Sequence, residues 1–240
     1  MLSKAAVKYI QSLHHKKFRD EEAVFVAEGP KLVGELLAGK TFVCRNVYAL
    51  KSWEHQTAPA AEMIEGFELE KISSLSTPNQ VLAVFEKKLV EKNPVLKGKI
   101  TLVLDDIQDP GNLGTIIRIA DWFGVENIFC SLHTADMYNS KVVQSTMASI
   151  QRINLVYTNL AEWLDGVEGI ETFAAALNGD SLNSVSGLSE GILLIGNESK
   201  GISPELLKMA DRKITIPRVG EAESLNAAVA AGIILYEIRR

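Results

Sequence analysis

Three polar clusters, each following an apolar run, hold the side chains of this chain best suited to chemistry. The first is Asn112-Leu113-Gly114-Thr115-Ile116-Ile117-Arg118. The second is Gly196-Asn197-Glu198-Ser199-Lys200-Gly201. The third is Ile216-Pro217 with Ser224-Leu225-Asn226-Ala227-Ala228. Arg118 comes four residues after Gly114, so a helix there presents both on one face. An Arg at the active edge of a sheet suits a phosphate or carboxylate, which its planar fork can grip through two hydrogen bonds. Glu198 offers an acceptor to a hydroxyl or an amine. Asn226 is a poor helix former at the opening of an Ala-rich helix, which marks it for something other than packing. Each cluster also has a plain reading: a capped helix with a surface Arg, an ordinary strand-to-helix loop, and close packing of small residues. No G-x-G-x-x-G and no Walker lysine occurs, so these loops are neither a dinucleotide fingerprint nor a P-loop.

The surrounding pattern must hold such loops at strand ends. Apolar runs predict strands over 100–104, 126–130, 153–156, 172–176, 192–195 and 213–216. Helices are expected over 116–123, 141–149, 160–163, 204–209 and 224–239, and Pro110-Gly111 reads as a turn. Continuous apolar strands alternating with helices indicate an α/β fold, with a parallel sheet covered on both faces. The first 86 residues read as a smaller α/β unit. Ala5, Val7, Ile10, Leu13 and Phe18 have rough helical spacing, and 24–27 is a short strand. Pro30 opens a helix that Gly39 ends. Strands are expected over 42–50, 67–69 and 80–85, with a short helix near 72–75. Polar, Lys-rich residues 87–98 form the linker, which divides the chain into 1–86 and 99–240.

The net charge is -5, but it is unevenly spread. Residues 1–98 carry 14 Lys and Arg against 12 Asp and Glu, and residues 99–240 carry 11 against 18. Lys4, Lys8, Lys16, Lys17 and Arg19 open the chain with no acid among the first 19 residues. Phosphate contacts need local rather than global charge, so Lys16, Lys17 and Arg19 are candidate nucleic-acid contacts. A solvated helix face is the plain alternative. Cys44 and Cys130 are the only cysteines. They suggest no disulfide framework and no metal, and so a reducing, cytoplasmic setting. No apolar run approaches the ~20 residues of a membrane span.

Taken together, the three clusters resemble motifs one, two and three of the SpoU (TrmH-like) RNA ribose 2′-O-methyltransferases of the SPOUT class. The resemblance covers roughly 99–240. Lys16-Lys17-Phe18-Arg19 followed by Phe25-Val26-Ala27-Glu28-Gly29 is similar to the opening of that family's accessory substrate-binding domain, a ribosomal-protein-like α/β fold. The resemblance implies a trefoil knot in the parallel-sheet domain and S-adenosylmethionine (SAM) held by three loops. Leu177, Asn178 and Gly179 fall in the first loop. Gly196, Asn197, Glu198 and Gly201 fall in the second, and Ile216, Pro217, Leu225 and Asn226 in the third. Arg118 matches the family's catalytic arginine, and Asn112, Glu198, Ser224 and Asn226 match polar positions around the reacting groups. An Arg resists deprotonation, so an orienting or electrostatic role is expected of Arg118 rather than that of a base. Two departures stand out: Ala228 where a Ser is common, and Ser199 where a Gly is often found.

The expectation is therefore a SAM-dependent enzyme that methylates a ribose 2′-hydroxyl, in rRNA by preference. The alternatives are a tRNA 2′-O-methyltransferase and a non-catalytic RNA-binding protein of the same fold. The resemblance also implies a homodimer through the 99–240 domain, with the Arg118 helix and the last helix as contact surfaces.

Overall fold

The computed structural model describes residues 1–53 and 61–240. It opens with α1 (Lys4–Ser12), α2 (Lys16–Glu21), β1 (Val24–Glu28), α3 (Pro30–Gly39), β2 (Cys44–Ala49), β3 (Glu62–Met63), α4 (Gly66–Ile72) and β4 (Val81–Glu86). It continues with β5 (Ile100–Asp105), α5 (Pro110–Trp122), β6 (Asn127–Cys130), α6 (Ser140–Thr146), β7 (Asn154–Tyr157) and α7 (Leu160–Asp165). The last elements are β8 (Thr172–Ser181), β9 (Gly191–Gly196), α8 (Pro204–Met209), β10 (Arg212–Thr215) and α9 (Ala227–Arg239). One compact unit comprises residues 1–89 with 136–151, and the other comprises 90–135 with 152–240.

The first unit has a mixed four-stranded sheet in the order β1-β4-β2-β3. β4 is antiparallel to β1 and β2, and β3 is parallel to β2. All five residues of β1 are buried, which explains its lack of polar alternation. Ile10, Leu13, Leu69 and Ile72 pack with Val24, Val26, Leu82 and Val84 in one core. Phe25 stacks on Phe85 and meets Tyr138 with ring centroids 5.0 Å apart.

Three sequence expectations in this unit are corrected. Residues 67–69 form no strand; they lie inside α4. Glu65 caps that helix and Glu68 returns the bond, so a capping box sets the local conformation. α4 ends at Ile72, and Ser73, Ser74 and Leu75 form no helix. Instead Glu28, buried in β1, accepts from Ser74 N at 2.9 Å and Ser74 Oγ at 2.6 Å. The apolar pattern near the N-terminus is also split in two, because the chain breaks between α1 and α2.

The second unit has a six-stranded, wholly parallel sheet in the order β10-β8-β9-β5-β6-β7. Its central strands are buried along their length, as continuous apolar runs require. After β5 the chain runs outward through β6 and β7, then crosses back to build β8, β9 and β10 on the other side. β5 and β9 therefore flank a switch point, where ligands bind at the carboxyl ends of strands. Asp105 pairs with Gly196 at that end, so loops 80 and more residues apart leave the sheet side by side.

Loop starts differ from expectation in two places. Pro110-Gly111 is no free turn. Asp109 is the N-cap of α5 and Pro110 its first residue, where a missing N–H costs nothing. The last helix begins at Ala227 rather than 224, with Asn226 as its N-cap. That cap accounts for a poor helix former at this position.

Candidate methyl-transfer site

Loop one follows β5 and loop two follows β9. The Asp109 side chain accepts from Asn112 N at 2.8 Å and fixes the first turn of α5. That turn places the Asn112 side chain beside loop two, where its Nδ2 donates to Glu198 Oε1. Asn112 Oδ1 in turn accepts from Asn226 Nδ2 at 2.8 Å. Asn226 Oδ1 caps α9 through the N–H groups of Ala228 and Val229, at 3.0 and 3.3 Å. The cap settles which end of the Asn226 amide donates, and the direction of the chain follows: Asn226 to Asn112 to the Glu198 carboxylate. One residue from each of the three sequence clusters is thus joined in a single polar chain.

Arg118 lies on the exposed side of α5 and has no hydrogen-bond or ion-pair partner among the described residues. No hydrogen bond among the described residues joins it to the Asn112–Glu198–Asn226 chain. Ser224 is also exposed and makes no hydrogen bond among the described residues.

The candidate cofactor positions line the same edge. β8 and β10 pair at Ala174 with Lys213 and next at Asp180 with Ile214, so residues 175–179 have no counterpart across the ladder. This wide bulge carries Leu177, Asn178 and Gly179, all exposed. A Cβ on Gly179 would lie 2.4 Å from the Lys213 carbonyl oxygen, so only glycine lets the strands approach. A Cβ on Gly196 would meet Gly201 C at 2.2 Å, where Asn197 and Gly201 close a tight loop. Thr215 Oγ1 donates to the Leu177 carbonyl at 3.2 Å. Leu177 is 72% exposed and Leu225 45%, two apolar side chains held in solvent at loops that otherwise offer backbone groups. Ile216 is half-buried and Pro217 exposed beside them. Such a rim fits a ligand with an aromatic ring and several hydrogen-bonding groups. Asn197 lies in the same loop as Gly201. Its side-chain amide is engaged within the protein by Asp106, Ser199 and Lys200.

Arg19 is a correction. It is 3% exposed, its guanidinium sits 2.6 Å from Asp136 Oδ2, and it also donates to the carbonyls of Leu13 and His14 at 2.9 Å. A buried guanidinium held this way braces the break between α1 and α2 and is not offered to a phosphate. Lys16 and Lys17 are exposed, in i,i+4 pairs with Asp20 and Glu21. Sequence spacing does not separate the buried Arg from its exposed neighbours.

Asp106 was not singled out by sequence. Its φ of 58° is unusual for a non-glycine residue. Burial works to raise its pKa, but hydrogen bonds from Gln108 and Lys200 outweigh it and hold the carboxyl below its ordinary value. Elsewhere, a hollow of about 670 Å³ lined by Leu164, Asp165, Glu171, Met209 and Asp211 lies at the amino end of β8, away from the three loops. Among the described residues, no group of three His, Cys, Asp or Glu side chains could hold a metal ion. No helix among them is long and apolar enough to cross a membrane.

The wholly parallel sheet with its switch point, beside a smaller unit built on a mixed sheet, defines an α/β protein of two parts. The SpoU rRNA Methylase family matches residues 99–236, and the MRM3-like substrate binding domain matches residues 4–83. The chain belongs to the SpoU methylase family. It is 34% identical to the 23S rRNA (guanosine(2553)-2'-O)-methyltransferase RlmP of Bacillus subtilis, across 97% of this chain and 95% of that protein. A putative RNA methyltransferase of the TrmH family from Porphyromonas gingivalis superposes with a TM-score of 0.88 at 36% identity, covering 100% of this chain and 98% of that one. An AdoMet-bound rRNA methyltransferase from Sinorhizobium meliloti superposes with a TM-score of 0.86 at 30% identity, covering 100% and 95%.

Proposed function

We propose that this protein transfers a methyl group from SAM to a ribose 2′-hydroxyl of RNA, with rRNA as the substrate. The observation that carries the reading is the polar chain from Asn226 through Asn112 to Glu198 at the switch point. SAM supplies an electrophilic methyl group on a sulfonium, a leaving group that needs no acid. The protein's task is therefore alignment of the hydroxyl and management of its proton.

Leu177, Asn178, Gly179, Gly196, Gly201, Ile216, Pro217 and Leu225 form the cofactor rim in this reading, with Asn197 shaping the loop. Exposed Leu177 and Leu225 would lose water against an aromatic ring. Glu198 and Ser224 orient the ribose hydroxyls, and the two Asn amides hold Glu198 in place. Arg118, charged and unpaired, grips a phosphate through its fork and steadies the developing charge.

The same reading includes a trefoil knot formed by the C-terminal segment of the 99–240 domain. It also includes a homodimer. Val229, Ile233 and Tyr236 lie exposed on one face of α9, and Trp122 is 84% exposed on α5, which packs beside it. An apolar face of this kind marks an interaction site. The division of labour is proposed along the boundaries 1–86, 87–98 and 99–240, with RNA capture by the first segment through Lys16 and Lys17. A cytoplasmic location goes with an RNA substrate and two free thiols.

The test is transfer of labelled methyl from SAM to rRNA and tRNA. The modified position is then mapped by its resistance to alkaline cleavage. Label appearing at a 2′-oxygen of rRNA is the expected result. Label on a base, or none on either RNA, would overturn the reading.

A further inference from the structure

We infer that Asp106 and Asn197 are positioning residues, which together hold Glu198 where Asn112 reaches it. The inference rests on the methyltransferase reading above and goes beyond it in naming the brace behind the site.

Asp106 directly follows β5 in a left-handed turn, with φ of 58°. Asp is among the few residues that tolerate this conformation. The turn sends the polar groups of one residue toward different segments. Its N–H donates to Ser131 Oγ, after β6, at 2.9 Å. Its carbonyl accepts from Asn197 Nδ2 at 2.8 Å. Its carboxylate accepts from Gln108 Nε2 at 2.9 Å and Lys200 Nζ at 3.2 Å.

Asn197 completes the brace from the other side. Its Oδ1 accepts from the N–H groups of Ser199 and Lys200, at 2.9 and 3.2 Å. Its backbone pairs with Gly201 in both directions, at 3.1 and 2.8 Å. Glu198 rides on this tied loop, and its carboxylate accepts from Asn112. The link through Lys200 counts for less, since that side chain is 72% exposed and solvent screens the pair. The link that matters is the Asn197 amide on the Asp106 carbonyl. It joins loop two to loop one independently of the Asn112–Glu198 contact.

The experiment uses Asn197→Asp in the full chain. Asp keeps the Oδ1 acceptor that shapes its own loop. It replaces the donor with an oxygen facing the Asp106 carbonyl. We expect kcat to fall ~10–100-fold, because displacements near 1 Å cost rates of this order. KM for RNA should stay within ~3-fold, since no RNA contact is removed. In a Glu198→Gln background the same change should lower kcat by less than ~3-fold more, because coupled residues are non-additive. In ligand-free protein, the Asn197 side-chain amide should exchange with solvent more slowly than the exposed amide of Asn178.

An undiminished kcat in Asn197→Asp would overturn the proposal. So would its full effect in the Glu198→Gln background, or amide exchange as fast as that of Asn178. A wild-type chain that methylates no RNA would overturn the functional reading alone, since amide exchange reports on the brace without activity.

Discussion

Asn226 Nδ2 lies 2.8 Å from Asn112 Oδ1, and the same Asn226 caps α9 through its Oδ1. One side chain thus starts a helix and completes a site. The two roles can be separated. Asn226→Asp keeps the cap and loses the donor, so melting should be nearly unchanged while kcat falls ~10–100-fold. Asn226→Ala loses both, and should also lower stability by ~1 kcal/mol. Thermal melts beside steady-state kinetics separate the two outcomes.

Arg118→Lys retains the charge and loses the fork. A guanidinium that grips phosphate through two bonds is poorly replaced by an ammonium. We expect kcat to drop ~100-fold, the scale of losing one oriented donor, with SAM affinity unchanged by calorimetry. Near-wild-type turnover would remove bidentate orientation from the mechanism.

Arg19 should act on stability. Arg19→Met leaves the half-buried Asp136 carboxylate without its charged partner, so unfolding should become easier by ~1–3 kcal/mol in urea melts. Adding Asp136→Leu should recover much of that loss. Lys16→Gln with Lys17→Gln should behave oppositely. Folding should be unaffected, RNA affinity should fall, and the slope of log affinity against log salt should shrink by ~1–2.

Burial pushes the Lys88 ammonium down from its usual 10.5 to about 8. The unfolded chain then binds more protons between these values, so this residue's contribution to stability rises with pH across about 8 to 10.5. A Lys88→Met variant lacks that dependence. The stability of wild type relative to Lys88→Met should therefore increase over this window and stay flat below it, as read from denaturant melts at a series of pH values.

Gly179→Ala tests the close approach of β8 and β10 at the bulge. Its Cβ would fall 2.4 Å from the Lys213 carbonyl oxygen, and a backbone atom cannot swing aside. Loss of SAM binding by calorimetry and a lowered melting temperature are the expected results. Gly220→Ala, where a Cβ meets nothing within 4 Å, serves as the control.

Much of the sheet in the second unit was legible as apolar runs, because strands buried on both faces carry no polar alternation. Elsewhere local polar groups override the apolar pattern. Phe67-Glu68-Leu69 looks β-like, but the Glu65–Glu68 capping box makes it helical. Asn226 looked anomalous inside a helix and is the residue before it.

The sequence by itself determined which residue types stand at the strand ends, and that Asn112, Glu198 and Asn226 belong to three separate loops. Strand–helix alternation and loop composition are local properties, and they survive without a structure. Tertiary structure decided which loops meet. Asp105 lies opposite Gly196 only because β9 returns to the side of β5, and the Asn226–Asn112–Glu198 chain exists only through that return. It also decided that Arg19 is buried against Asp136 while Lys16 and Lys17 stay in solvent. Burial and partnership depend on residues more than 100 positions away, and no local pattern encodes them.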